Sequence, residues 1–423
     1  MEVKPGYKQT EVGVIPEDWD ISRLGDLCQK IQDGTHFSPR IRGGDFLYVT
    51  SKNIGFGTLD VSDAERIDAE QHAAIYKRCD VRKNDLLLTK DGANTGNAAL
   101  NTLSEPFSLL SSVAFLRFDE ERHAPGYFLQ QILSDTGQKK IKEAMSGNAI
   151  TRLTLEKINN LRFIAPPVIE QRAIATALSD MDALLDGLDR LIAKKRAIKQ
   201  AAMQQLLTAQ TRLPGFSGEW EMKRLGDHLT FLKNGVNSRA ELSYSEDVRY
   251  LHYGDIHGSS RVELSPANVE MPCLPRAKAS RLDRLQNGDL IFADASEDMD
   301  GVGKSVEIQN AAGIELVSGL HTIAIRFDKS VLADGFKAYI QLIPKFRAHL
   351  RQLAAGTKVY ATNRTHIASA ELRLPGIDEQ QAISALLTDM DAEITALETR
   401  RTKTRALKQA MMQELLTGRT RLV

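Results

Sequence analysis

Apolar residues recur every three or four positions along residues 170–213 and 379–422, and the two stretches are copies of one another. They align without a gap at a constant offset of 209 residues, through DMDA, K-x-R-A-[IL]-KQA and MQ-x-LLT to a closing TRL. In the first copy Ile174, Leu178, Met181, Leu185, Leu188 and Ile192 fall on heptad positions a, d and e, a stripe wide enough to pack on a partner helix. The second copy matches it with Ile383, Leu387, Met390, Ile394, Leu397 and Met411. An unbroken helix from Glu170 to Thr208 would run about 60 Å. The second stripe is weaker at its centre, where Glu393, Arg400 and Arg401 stand in place of Leu184, Leu191 and Ile192.

A different pattern fills the chain between these stretches. Short apolar runs, DFLYVT (45–50), DLLLTK (85–90) and VAFLRF (113–118), are bounded by the turn clusters QDGTH, SKNIGFG and DGANTG, which predicts strands joined by polar loops. Gly126 to Ala144 reads as a helical pair, and Ala165-Pro166-Pro167 closes the domain ahead of the long helix. A second cycle follows at once. SGEWEMKRLGDHL (217–229) echoes PEDWDISRLGDLC (16–28), and HTIAIRFD echoes SVAFLRFD, while the intervening loops differ. The expected fold is mixed α/β: two α/β domains at 1–165 and 214–373, separated by long helices at 166–213 and 374–423. The first helix continues from TRL into PGF, whereas the second ends TRLV and its continuation, Pro5-Gly6-Tyr7, lies at the start of the chain. The repeat is therefore circular. It predicts neighbouring termini and two helices packed antiparallel as struts.

Composition narrows the class. The 423 residues carry 42% hydrophobic positions, enough for a real core, and 55 basic against 55 acidic residues. Net neutrality argues against a purely electrostatic coat on nucleic acid but can conceal local basic surfaces. No apolar run approaches a membrane span and no signal peptide is evident, so a cytoplasmic location is expected. Cys28, Cys79 and Cys273 have neither zinc-site spacing nor an even count for a disulfide framework, and they read as ordinary thiols.

Catalytic signatures are missing. Gly301-Val302-Gly303-Lys304-Ser305 resembles the end of a phosphate-binding loop, yet Asp298 stands where that motif needs its first glycine. Gly92-Ala93-Asn94-Thr95-Gly96 lacks the spacing of a dinucleotide fingerprint. There is no nucleophile elbow, no paired-histidine zinc motif and no methyltransferase cofactor motif. What remains is a scaffold presenting two sets of loops. Those of the first half are 32–40, 50–57, 89–97 and 146–154; those of the second are 233–241, 251–261, 294–305 and 355–366. They place Asn, Thr, His, Lys and Arg beside glycine, the donors and acceptors that base edges and phosphates need.

The opening GYKQTEVGVIPEDWDISRLGDL, the APPVIEQRAIA start of the first long helix, its KRAIKQAAMQQLLT end and the repetition of the whole cycle resemble the DNA-specificity (S) subunits of Type I restriction-modification systems. The resemblance covers essentially the whole chain. It implies two target-recognition domains that read the halves of a bipartite, asymmetric double-stranded DNA sequence, and paired helices acting as a spacer. It also implies two modification (methyltransferase) subunits as partners, joined by restriction subunits. The chain itself would be no enzyme and would bind no metal or cofactor, S-adenosylmethionine belonging to the modification subunits. By loop position, the expected DNA-binding residues are Thr35, His36, Lys52, Asn53, Lys90, Asn94, Asn97 and Arg152 in the first domain. In the second they are Asn237, Arg239, His252, His257, Lys304, Lys358, Tyr360 and Arg364. The alternative is a coiled-coil scaffold with vestigial recognition domains.

Overall fold

A computed structural model describes residues 4–41, 43–145, 152–354, 356 and 359–423. The chain divides into two compact units, residues 1–189 with 399–423, and residues 190–398. Each unit thus contains one sheet domain and a part of each long helix.

In the first unit an antiparallel sheet runs in the order Cys28–Asp33, Val113–Phe118, Leu86–Thr89, Ala98–Leu100. Leu86, Leu88, Ala114 and Leu116 enter one core with Trp19, Phe128, Ile174 and Leu178. The alternate residues Leu87, Val113 and Phe115 enter a second core with Tyr48, Ile67 and Phe107. A sheet covered on both faces needs apolar residues at consecutive positions, which is why these strands read as unbroken runs. Glu65–Ile67, Phe46–Val49 and Ser108–Leu109 form a smaller sheet, and Asp20–Arg23 pairs antiparallel with Arg162–Ala165 to join the domain's two ends. The predicted helical pair is Pro125–Leu133 followed by Asp135–Met145.

The second unit repeats the plan. Its main sheet orders Leu229–Phe231, Thr322–Phe327, Leu290–Ala293, Ser305–Ile308 and Glu263–Leu264. Leu290 and Phe292 face one core, Ile291 and Ala293 the other. Glu221–Arg224 pairs with Glu371–Leu374, as Asp20–Arg23 pairs with Arg162–Ala165.

The long helices are Val168–Leu206 and Ile377–Leu415, 39 residues each. Both end at a left-handed residue, Ala209 (φ 59°) and Gly418 (φ 71°), which are equivalent in the repeat. Gly418 has a further reason to be glycine: a Cβ there would lie 2.5 Å from Pro16 Cδ.

Within the first unit Asp182 meets Lys408 at 2.6 Å and Asp189 meets Arg401 at 2.8 Å, so the helix segments run antiparallel. Within the second, Lys199 meets Asp391 at 2.5 Å and Lys195 meets Glu393 at 2.7 Å, again antiparallel. Asp182 and Asp391 are the same aspartate of DMDA, and Lys199 and Lys408 the same lysine of KQA. The repeated motifs therefore pair with each other. The polar substitutions Glu393 and Arg401 belong to this ladder of ion pairs rather than to the apolar stripe, while Arg400 is exposed.

Of the expected packing residues, Ile174, Leu178, Leu188, Ile192, Ile383, Leu387 and Ile394 are buried; Met181, Leu185, Met390, Leu397 and Met411 are half-buried. Leu184, Leu191, Ile198, Leu386 and Leu407 stay exposed, Leu407 by 55%.

A clasp closes each unit. Glu170, fully buried, accepts the Trp19 indole N–H at 3.2 Å and the Arg421 Nε–H at 2.7 Å, and Arg421 also pairs with Asp18. Glu379 accepts from Trp220 at 3.2 Å and from Arg212 Nε at 2.5 Å. With Tyr7 donating its hydroxyl to the Gly418 carbonyl at 3.0 Å, the chain's final residues lie against its first strands, as the circular repeat predicts.

Candidate nucleic-acid interface

In the first unit the loops that follow the strands meet around a lysine. Lys90, 2% exposed, donates to Asp91 at 2.9 Å and lies 3.5 Å from Asp33. Asp33 also has His36 Nε2 at 3.3 Å and Arg78 at 3.7 Å, and Arg152 contacts Asp91 at 3.0 Å. Loops 32–40, 89–97 and the segment at Arg152 are thereby tied into one surface. Asn97 joins loop 50–57 to it by donating to the Ile54 carbonyl at 3.1 Å.

These bonds sort the expected residues. Thr35, Asn53 and Lys90 are turned inward, which corrects the surface placement expected for them. The Thr35 hydroxyl closes its own turn with Phe37, and Asn53 accepts from the Thr50 N–H and donates to Asp63. Burying a polar group costs free energy unless it finds such partners, so these side chains hold the loops rather than offering free donors. Asn97 is half-buried and occupied. His36, Lys52, Asn94 and Arg152 are exposed.

In the second unit a cleft of about 860 Å³ is lined by Tyr253, His257, Lys304, His321, Asp300 and Arg347 among others. The helix Tyr253–Gly258 forms its wall because His252 caps it: Nδ1 accepts the Gly254 N–H at 3.3 Å, and Asp255 accepts the His252 N–H at 2.9 Å. His252 is 7% exposed, and burial lowers its pKa from the ordinary value near 6.5. It too is turned inward, a second correction. His257 donates from Nε2 to the Ala295 carbonyl at 2.8 Å, and Lys304 donates to the His257 carbonyl at 2.6 Å.

The lookalike phosphate loop thus serves packing. Gly303, at φ 77°, passes so close to Leu350 that a Cβ would lie 2.5 Å from its methyl group. Tyr360 pairs with Ser296 beside the same cleft. Asn237 donates to Glu241 at 3.1 Å and Arg239 meets Asp255 at 3.2 Å. Arg364, exposed, donates to the Leu232 carbonyl at 3.0 Å and lies over Phe231. Lys358 lies outside the described residues.

Tyr253, His321 and Arg347 escaped the sequence reading. His321 adopts φ 57°, rare for a residue with a side chain. Its Nδ1 is 3.2 Å from Asp294, and its ring meets the edge of Tyr253. The visible signal was the histidine directly before strand TIAIRF. Among the described residues no group of three or more His, Cys, Asp or Glu is placed to hold a metal, and no helix is long and apolar enough to cross a membrane.

Residues 16–199 match the family model of the Type I restriction modification DNA specificity domain. The Type I restriction enzyme MjaVIII specificity subunit of Methanocaldococcus jannaschii is 22% identical over 430 residues, covering 96% of this chain and 94% of that protein. Among solved structures, the S subunit of the Type I restriction-modification system from M. genitalium shares the fold with a TM-score of 0.59 at 12% identity, covering 98% of each chain. A chain from a structure concerned with complex assembly and conformational transition of the type I R-M system matches with a TM-score of 0.54 at 15% identity, covering 96% of this chain and 99% of that one. The family model thus matches the first half of the twice-built frame, and the specificity subunits are similar to the chain over nearly its whole length.

Proposed function

We propose that the chain is the sequence-reading subunit of a type I restriction-modification complex, each sheet domain reading one half of a bipartite double-stranded DNA target. The observation that carries this is one frame supporting two different surfaces. The clasps, the ion pairs of the helices and the two-faced sheets repeat, whereas the exposed Gly92-Ala93-Asn94 tip of the first domain gives way to an acidic loop in the second. Different donors and acceptors on one frame select different bases, so the target is asymmetric.

The exposed apolar residues of the helices, Leu184, Leu191, Ile198, Leu386 and Leu407, suit partner helices, and modification subunits are the partners that the family relationship favours. Those subunits would carry S-adenosylmethionine and the methyl transfer; this chain supplies recognition and assembly without catalysis. Restriction subunits would join the same complex.

Mapping methylated adenines in DNA treated with the assembled complex should reveal two unequal half-sites. Arg152→Ala should relax one of them, at a cost of about 1–3 kcal/mol. Methyl transfer by the purified chain alone overturns the proposal, and an assembled complex that protects no defined sequence favours the scaffold alternative.

A further inference from the structure

Helix Pro344–Leu353 buries Phe346 and Leu350 and carries Arg347 and Arg351, one helical turn apart, on the adjoining half-buried face. Both guanidinium groups converge on a single carboxylate, Asp300, at the tip of loop 294–305. Arg351 also donates to the Met299 carbonyl at 3.1 Å. The Asp300 side chain is 87% exposed, while those of Arg347 and Arg351 are 37% and 36% exposed. Two fixed guanidinium groups around one oxygen form a site for a tetrahedral oxyanion as readily as for a carboxylate. Its position supports that use. Arg347 and Asp300 line the same cleft as His257 and Lys304, and Gly303, packed on Leu350, fixes the base of the loop against the helix while Asp300 stands at its solvent end.

We infer that Arg347 and Arg351 form a backbone-phosphate clamp for the second half-site, occupied in the free chain by Asp300 as an internal substitute for the phosphate. The inference rests on the DNA-reading role proposed above. Binding exchanges one anion for another: the phosphodiester takes both guanidinium groups, and the Asp300 carboxylate moves into water, where its high exposure makes solvation easy. No residue of the clamp reads a base. Its contribution is register and affinity, and the carboxylate weakens DNA that does not displace it.

The test uses the full chain and a fluorescein-labelled random duplex, with anisotropy titrations between about 50 and 200 mM salt. Asp300→Asn should tighten binding about two- to fivefold, the range expected for releasing an exposed ion pair. A gain of affinity cannot arise from misfolding. Arg347→Gln with Arg351→Gln should flatten the slope of log K against log salt by about 0.9, one phosphate contact. Unchanged or weaker binding by the Asp300 variant overturns the clamp, and so does an unchanged slope in the double arginine variant. A wild-type chain that shows no salt-dependent duplex binding sinks the DNA reading and this inference with it, so the two failures are told apart by the wild type.

Discussion

Removing the Arg421 guanidinium should loosen the first unit far more than an exposed arginine would. Glu170 is fully buried at the start of the first long helix, and Arg421 reaches it with Nε at 2.7 Å and a second nitrogen at 2.6 Å. In Arg421→Ala the carboxylate keeps, among the described residues, only the Trp19 indole N–H. Stripping one partner from a buried pair costs about 3–5 kcal/mol. The Arg421 side chain is 33% exposed, so water can enter the gap, and we expect about 2–3 kcal/mol. Asp18, whose pKa Arg421 lowers by hydrogen bonding, is half exposed; Asp18→Asn should cost no more than about 1 kcal/mol.

The chain's two tryptophans make the assay local, because Trp19 sits in one clasp and Trp220 in the other. In a Trp220→Phe background, denaturant titration followed by Trp19 fluorescence reports the first unit even if the two units unfold separately. Glu170→Gln should remove most of the penalty of Arg421→Ala, since the two share one interaction. A loss below about 0.5 kcal/mol, or the same loss with Gln at 170, would refute the buried-pair reasoning.

Three further expectations follow from the same structure. Lys90→Met should destabilise the first unit by about 2 kcal/mol by removing the buried ammonium from between the Asp33 and Asp91 carboxylates, which keep their more exposed partners His36, Arg78 and Arg152, yet leave the salt slope of DNA binding unchanged; a flatter slope would show that Lys90 touches phosphate. His252 must be neutral for Nδ1 to cap its helix, and its folded pKa is depressed by burial. Its contribution is therefore complete above the unfolded value near 6.5 and lost as pH falls through the folded one. His252→Asn keeps a cap without titrating, so its thermal midpoint should gain on the wild type between about pH 7 and pH 5; parallel curves would dismiss the cap. Leu188→Asp should weaken the helices themselves, since Leu188 is 4% exposed, whereas Leu184→Asp, at 39% exposure, should spare folding and abolish co-purification with modification subunits. Equal melting shifts for the two variants would show that both face the interior.

The architecture was legible in the sequence because its causes are periodic. A helix that must pack along its whole length writes its stripe every three or four residues, and a duplicated frame writes it twice. The ion pairs were legible only as repetition: Glu170 recurs as Glu379, Asp182 as Asp391 and Lys199 as Lys408, all at one offset, but nothing in their types says which partners they meet. The recognition loops obey no such rule. A polar residue near a glycine bonds outward to a ligand or inward to an orphaned backbone group, and composition is the same in both cases. Thr35, Asn53, Lys90 and His252 took the inward course because each strand end leaves N–H groups or carboxylates that need partners, whereas Lys52 and Asn94 stayed in solvent and His36 reaches Asp33 from an exposed position. Arg347 and Arg351 were missed for the converse reason. They belong to a helix, PKFRAHLRQL, outside every glycine-rich loop, and only the fold brings it to the cleft. A reading surface built on rigid elements is therefore harder to see in sequence than one built on loops, and the arginine pair is where that difference can be measured.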